Sequence, residues 1–212
     1  HPVHAIQAPD GDYLIVGKTA SNGFVIKIKE TASGVNAWLD NQETATGWSP
    51  DYAWGKSMGT QGMKDHLLNV AATSDSVFVV GVKSLTATNA DRYIAKHSLA
   101  TGALIWEATF PDSSTSKDGA YITAMITSDG GLIVGGVTDA ATGSLEGFKS
   151  FGNPVTGTAC LAYFSAAQLS SNTAPSAPTW AKSYAPSLDV KAVKEVPSSQ
   201  GGGYVFVSGT NP

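Results

Sequence analysis

One apolar segment that ends in glycine recurs four times and constrains the fold of the chain more than any other feature. The copies are residues 12–17, 76–81, 131–136 and 203–209, and they read DYLIVG, SVFVVG, GLIVGG and GYVFVSG. Self-similarity at a spacing of several tens of residues is typical of repeat architectures, in which each unit is one supersecondary element. The shared glycines of the first three copies, Gly17, Gly81 and Gly136, are predicted to have a structural role in each unit.

Each copy lies second in a predicted unit of four β-strands. A short strand precedes it across a turn rich in Asp, Ser and Gly, which has the composition of a hairpin connection. The third strands alternate apolar and polar residues and lie at 24–29, 92–97 and 160–164. The near-continuous apolar content of the second strand indicates burial on both of its faces, as between neighbouring sheets.

Two further residue types return in phase with these units. The fourth strands begin with Trp54, Trp106 and Trp180. An aromatic residue at a fixed place of a repeat is more typical of packing between sheets than of a platform for a ligand. The first strands of units two, three and four are preceded by Asp65, Asp118 and Asp189. We interpret these acids as caps that fix the connection between units rather than as catalytic groups.

The repeat predicts an all-β protein, a β-propeller of four-stranded antiparallel blades with about three and a half blades present. An open β-sandwich also has many short strands, but it does not require the same strand, turn and tryptophan in the same order. The predicted blades cover about residues 1–60, 61–112 and 113–187, with a partial fourth at about 188–212. An unclosed ring leaves a sheet edge uncovered, so we expect a further length of chain or a protein partner to complete it.

Residues 96–106, KHSLATGALIW, and the Ser-Asp-Gly-Gly turn at 128–131 resemble extracellular β-propeller repeat proteins of the quinoprotein-like and kelch-like groups. Within them, 101–106 is similar to the T-G-x-x-x-W hairpin of quinoprotein-type blades. The resemblance covers nearly the whole chain and implies a blade architecture. Proteins of those groups serve as dehydrogenases, assembly scaffolds and binding platforms, so the resemblance does not imply one reaction.

Composition argues against several classes of function. Arg92 is the only arginine and the lysines are dispersed, which argues against a nucleic-acid partner. No apolar run is long enough to predict a transmembrane segment. Cys160 is the only cysteine, which excludes an internal disulfide and favours a small buried residue over a reactive thiol. Low charge, at 14% of residues, and abundant Gly, Ser and Thr favour an extracellular or cell-surface location.

No metal or cofactor site is predicted from the spacing of the candidate ligands. His1 invites comparison with copper sites that use an N-terminal histidine, but no spacing brings a second imidazole to it. The acids of the hairpin turns, such as Asp10 and Asp12, do not form a calcium-binding loop. Nucleophile-elbow, P-loop and dinucleotide-binding motifs are missing from the sequence.

We therefore expect a non-catalytic extracellular scaffold or binding module that presents loops and blade edges to protein or glycan partners. Trp38, Trp48 and Tyr52 lie outside the tryptophan phase, in and after the long connection of unit one, and are the candidate contact surface. The alternative is a fragment of a propeller enzyme, a quinoprotein-type oxidoreductase or a glycan-active hydrolase or lyase. A single arginine weighs against pyrroloquinoline quinone, whose carboxylates call for cationic partners.

Overall fold

The chain folds into a series of antiparallel β-sheets, as seen in a computed structural model. The structure describes residues 1–19, 22–30, 52–58, 65–86, 89–112, 117–141, 157–186 and 189–209. In these ranges fourteen strands form, and none of the helical segments is long and apolar enough to cross a membrane.

The strands of each sheet pair in sequence order. The first sheet contains β1 (Pro2–Gln7), β2 (Tyr13–Lys18), β3 (Gly23–Ile28) and β4 (Tyr52–Met58). The second contains β5 (His66–Ala72), β6 (Ser76–Thr86), β7 (Asn89–Ser98) and β8 (Leu104–Phe110). The third contains β9 (Lys117–Ile126), β10 (Leu132–Ala141), β11 (Thr158–Phe164) and β12 (Trp180–Pro186). The fourth contains only β13 (Asp189–Glu195) and β14 (Tyr204–Gly209) among the described residues.

This topology confirms the predicted all-β class and the four-stranded antiparallel unit, which occurs three times and is followed by a hairpin. The sheets are consistent with blade-like units. The division of the chain into numbered blades stays a prediction.

One short helix, which the sequence analysis did not predict, interrupts the third sheet between β11 and β12. Helix α1 (Ala166–Ser170) begins at a capping box, in which the Ser165 hydroxyl accepts the Gln168 backbone N–H and the Gln168 side chain accepts that of Ser165. This exchange satisfies backbone donors that have no partner inside a helix. The helix places Leu169, which is 4% exposed, against the second sheet.

Strand β6 shows how neighbouring sheets share their cores. Val77 and Val79 face the first sheet, whereas Phe78 and Val80 face the third, and all four are at most 1% exposed. Their partners are Leu14 and Val16 of β2 on one side, and Leu132 and Val134 of β10 on the other. Full burial of such a side chain contributes about 1.5–3 kcal/mol. The strand is therefore apolar throughout because both of its faces are core.

The phased glycines lie where the first strand of each sheet bulges toward the second. The pairing register shifts beside Gly17, Gly81 and Gly136, and a backbone carbonyl at or just before the first strand lies where a Cβ of the glycine would be. A Cβ at these positions would overlap the oxygens of His1, His66 and Ala120. A glycine is required because backbone, which cannot rotate away, occupies the place of a side chain.

We expect Gly81→Ala and Gly136→Ala each to lower the free energy of unfolding by about 3 kcal/mol, because the added methyl group displaces the bulged strand. Urea denaturation followed by circular dichroism measures the loss. Gly55→Ala is the matched control, since Gly55 is exposed in β4 and its φ lies outside the left-handed region. Equal stability of the Gly55 and Gly136 variants would contradict this explanation of the repeat.

Candidate functional site

The first phased tryptophan joins the first sheet to the second. Trp54 is 6% exposed and packs against Leu99, which lies in the turn between β7 and β8. Its indole Nε1–H donates to the Leu99 carbonyl at 3.0 Å. The side chain therefore contributes apolar area and one directional hydrogen bond to the neighbouring sheet.

A buried lysine accompanies this tryptophan on the adjacent strand. Lys27 pairs directly with Trp54 across β3 and β4, and its ammonium lies 3.4 Å from the Leu99 carbonyl. It also forms ion pairs with Asp10 and Asp12 of the first hairpin turn. Burial disfavours the charged ammonium, but the hydrogen bonds and charges of the two carboxylates outweigh it and raise the pKa of Lys27.

The same arrangement joins the second sheet to the third. Trp106 donates from Nε1 to the Ser171 carbonyl at 3.1 Å, and Leu169 packs in the same core cluster. Lys96, which pairs with Trp106 across β7 and β8, donates to the carbonyls of Leu169 at 2.7 Å and Ser171 at 3.3 Å. We call this set of a tryptophan, its paired lysine and the leucine-bearing turn of the next sheet the inter-sheet contact.

A buried histidine holds the turn that covers Trp54. His97 is 2% exposed, and its Nδ1–H donates to the Gly102 carbonyl at 3.0 Å, while Nε2 is buried without a hydrogen-bond partner in the described chain. Gly102 has φ of 68° and lies against the Trp54 ring, where a Cβ would not fit. Burial lowers the pKa of His97, with a smaller opposing effect from the Gly102 hydrogen bond.

In the third copy of the contact, no covering turn lies over the tryptophan within the described ranges. Trp180 is only half-buried and stacks with Tyr163 at 5.8 Å between ring centroids, with Tyr204 of β14 at 6.2 Å. Tyr163 pairs with Trp180 across β11 and β12 and so occupies the lysine position. Within the described ranges the Trp180 indole N–H donates to no acceptor.

Tyr163 is hydrogen-bonded inside its own sheet. Its hydroxyl donates to Asp129 Oδ2 at 2.6 Å, which raises the pKa of Tyr163 to about 12. Hydrogen bonds from Thr127, Tyr163 and the Gly131 backbone lower the pKa of Asp129. The third copy therefore has a satisfied neutral phenol where the other two have a buried cation.

Among the described residues, the fourth sheet is uncovered on one face and unpaired along one edge. Phe206 faces the third sheet and packs on Tyr184, with 4.7 Å between the ring centroids. Val205 and Val207 lie on the opposite face and are 58% and 64% exposed. Strand β14 pairs with β13 alone among the described strands, whereas β2, β6 and β10 each pair on both sides.

The three phased acids are all buried, but they do not make the same contacts. Asp65 Oδ1 accepts the Ser84 backbone N–H at 2.7 Å within its own sheet. Asp118 Oδ1 accepts the Ala90 N–H at 3.0 Å and so connects the third sheet to the second. Asp189 pairs through Oδ2 with Lys191 at 2.6 Å. Its Oδ1 is buried without a hydrogen-bond partner in the part of the chain described, so a polar position of the fourth sheet is also unfilled. Their general assignment as caps stays a prediction.

The only arginine is used inside the fold. Arg92 forms an ion pair with Asp112 at 3.2 Å and donates to the Pro111 carbonyl at 2.7 Å, above the Tyr121 ring. Cys160 is 4% exposed, and burial raises the pKa of its thiol to about 11. No group of three or more His, Cys, Asp or Glu side chains arranged to hold a metal ion occurs among the described residues.

Most of the predicted contact surface lies outside the described residues. Trp38 and Trp48 fall outside the described residues, and Tyr52 is the first residue of β4. The structure instead brings Trp180, Tyr163 and Tyr204 together, of which only the tryptophan was singled out from the sequence. A lysine inside an apolar third strand, as at Lys27 and Lys96, was an available signal for the inter-sheet contact.

We expect Lys96→Met to lower the free energy of unfolding by about 2 kcal/mol, because it leaves two turn carbonyls without their charged donor and keeps the length of the apolar stem. Urea denaturation measures the change. Lys182→Met, on the exposed side of β12, is the matched control and should change stability by no more than about 0.5 kcal/mol. If both variants are as stable as the parent, the Lys96 contact contributes nothing.

Acidification should destabilise the protein through His97. Because the pKa of His97 is lower in the folded chain, the unfolded chain binds more protons below about pH 6.5, and stability falls by up to about 1.4 kcal/mol per pH unit. We expect His97→Asn, whose amide can still donate to Gly102, to flatten the dependence of unfolding free energy on pH between 7 and 5. The half-buried His4, whose pKa burial also lowers, provides the comparison variant His4→Asn. A parent-like pH slope in the His97 variant would contradict this assignment.

Comparison with known proteins assigns neither a family nor a function to this arrangement of residues. No protein-family model matches the chain, and no curated protein sequence matches it.

Proposed function

We propose that the chain is a non-catalytic, extracellular scaffold module of the β-propeller type, and that a protein partner or a further length of chain adds β-strands to its fourth sheet. The proposal depends on the fourth sheet, in which β14 pairs on one side only among the described strands and Val205 and Val207 are exposed. The added strands complete this sheet as the third and fourth strands complete the other three.

Equivalent positions in the preceding sheets support this proposal. Phe78 and Val80 of β6 and Ile133 of β10 are at most 1% exposed, as are their neighbours on these strands. Val205 and Val207 occupy the same kind of position on a second strand, on the face that points away from the preceding sheet. Val205 and Val207 therefore expose apolar side chains that are buried at the equivalent positions of β6 and β10.

The sequence of β14 also favours strand addition. Exposed edge strands usually carry lysine, proline or another feature that prevents pairing with a foreign strand. Strand β14 reads YVFVSG, with neither a charged residue nor a proline. An edge that is uncharged and rich in β-formers is suited to main-chain hydrogen bonding with an added strand.

Composition supports the remaining parts of the proposal. Low charge and abundant small polar residues are the basis for an extracellular location, and the repeated sheets provide a rigid frame. Arg92 forms an ion pair within the fold, where it braces β7 against the segment that follows β8.

The test uses a hairpin probe, a cyclised peptide with the sequence of residues 89–110. This segment contains β7 and β8, which are the strands added to β6 in the second sheet. We expect the probe to slow amide hydrogen exchange in Tyr204–Gly209 about tenfold or more, because an added strand pairs with the open edge.

The double variant Val205→Lys, Val207→Lys should abolish this protection, since charged residues on an edge strand oppose pairing. Leu104→Lys is the matched control, because Leu104 is another exposed apolar residue, 53% exposed on β8. Unchanged exchange in β14 at saturating probe, or equal protection in the double variant, would refute the proposed docking.

A further inference from the structure

We propose that residues 171–179, which connect helix α1 to β12, are a site of O-linked glycosylation with Thr173 and Ser176 as the acceptors. The sugar is a hexose or an N-acetylhexosamine that comes from a nucleotide-activated donor. The inference goes beyond the proposed function and shares with it only the extracellular location. It does not depend on what adds to the fourth sheet.

The segment has the composition of an O-glycosylated region. It reads SNTAPSAPT and contains no charged residue and no large apolar residue. Stretches of serine and threonine interrupted by proline are typical of O-glycosylated chains. Pro175 and Pro178 have no backbone N–H and a fixed φ, so they keep the segment out of helices and out of the interior of a sheet. Residues 171–179 accordingly form neither a helix nor a strand.

The side chains of Thr173 and Ser176 are available for modification. Both residues are exposed, and within the described chain neither hydroxyl makes a hydrogen bond. Thr179, at the end of the same segment, differs from them. Its hydroxyl donates to the Gln168 side-chain oxygen and accepts the Ser165 backbone N–H at 3.1 Å. The segment therefore offers two free hydroxyls and one that is already used.

The backbone of the segment is anchored to the sheets, which leaves the hydroxyls as its accessible chemistry. The Ser171 carbonyl accepts the Trp106 indole N–H, and the Ala177 carbonyl accepts Gln168 Nε2 at 2.9 Å. Ala174 packs against the core shared by the second and third sheets. A proline-rich ligand that docks in the aromatic groove of another protein presents its backbone and rings to that groove. These anchors disfavour such docking, whereas they leave Thr173 exposed.

Transfer of the sugar is a substitution at its anomeric carbon. The Thr173 or Ser176 hydroxyl oxygen bonds to the anomeric carbon of a nucleoside diphosphate sugar, and the bond from that carbon to the phosphate oxygen breaks. The nucleoside diphosphate leaves with the electron pair, and the hydroxyl proton passes to a base of the transferase. A hydroxyl that is exposed and not hydrogen-bonded enters this reaction without breaking a contact inside the chain.

The place of the segment in the fold gives the sugars a physical role. Strand β12, which follows directly, pairs with β11 alone among the described strands and is therefore an edge of the third sheet. Unpaired edges can join the strand of another chain, and proteins obstruct them with charges, prolines or covering groups. Glycans are bulky, solvated and confined to the surface. Sugars next to the start of β12 would obstruct that edge.

The experiment compares the chain secreted by a eukaryotic host with the same chain made in bacterial cytosol, where these transferases are lacking. Intact mass spectrometry measures the difference. We expect the secreted chain to be heavier by whole sugar units, and the mass of each unit distinguishes a hexose from an N-acetylhexosamine. Fragmentation of the peptide that contains residues 171–179 should place the sugars on Thr173 and Ser176.

Variants of the two acceptors test the assignment. The double variant Thr173→Ala, Ser176→Ala should lose the added mass. It should unfold at the urea midpoint of the unglycosylated parent, because neither hydroxyl is hydrogen-bonded, so misfolding would not explain the loss. Thr101→Ala is the matched control, since Thr101 is an exposed threonine in the turn between β7 and β8 with no proline beside it. This control should keep the added mass.

The outcomes separate this inference from the proposed function. Equal masses of the secreted and bacterial chains, sugars only on hydroxyls outside residues 171–179, or an increase by phosphate units would each overturn the inference. None of these results affects strand addition to the fourth sheet. Failure of the hairpin probe to protect β14 would refute that addition and leave the glycosylation site standing.

Discussion

The burial of both faces of the second strand is the constraint on which the rest of this structure depends. Phe78 and Val79 are adjacent in β6, point to opposite sides and are each at most 1% exposed. A sheet built around such a strand is stable only between two neighbours, so the sheets stack in sequence order. The hydrophobic term that drives this stacking is large but has no direction. It requires a neighbour without fixing how that neighbour is placed.

Hydrogen bonds at the turns fix how one sheet is placed against the next. Trp106 and Lys96 donate to carbonyls of the connection between β11 and β12, and Lys96 as a whole is 4% exposed. A displaced sheet would leave that cation buried and unpaired, which costs far more than the net value of the hydrogen bond. The alignment of neighbouring sheets is therefore specified by a few polar atoms inside an apolar interface. The hydrogen bond from the Ala90 N–H to Asp118, in β9, also fixes the placement of the third sheet against the second.

Much of the fold follows from periodic features of the sequence, and most of the site does not. Continuous apolar runs predicted β6 and β10, and the phased glycines, for which the sequence predicted only a structural role, lie at strand bulges. The leucines of the inter-sheet contact gave no shared motif, since Leu99 lies in a tight turn and Leu169 in a helix after an insertion. Sequence spacing carries little information about contacts between elements of unequal length. Tyr163 stands where the other two copies have a lysine, so the third copy does not carry the lysine that accompanies the other two tryptophans in the sequence.

That replacement has a physical consequence for how the third copy can be used. At Lys27 and Lys96 the turn that supplies the carbonyls belongs to the same chain, so the buried cation always has its acceptor. A lysine at the Tyr163 position would have no such turn among the described residues and would be buried against the aromatic rings of Trp180 and Tyr204 without those acceptors. Tyr163 is neutral and bonded to Asp129 whether or not the neighbouring position is filled. Among the described residues the third copy therefore keeps its polar position satisfied without a covering turn, whereas the copies at Lys27 and Lys96 depend on theirs.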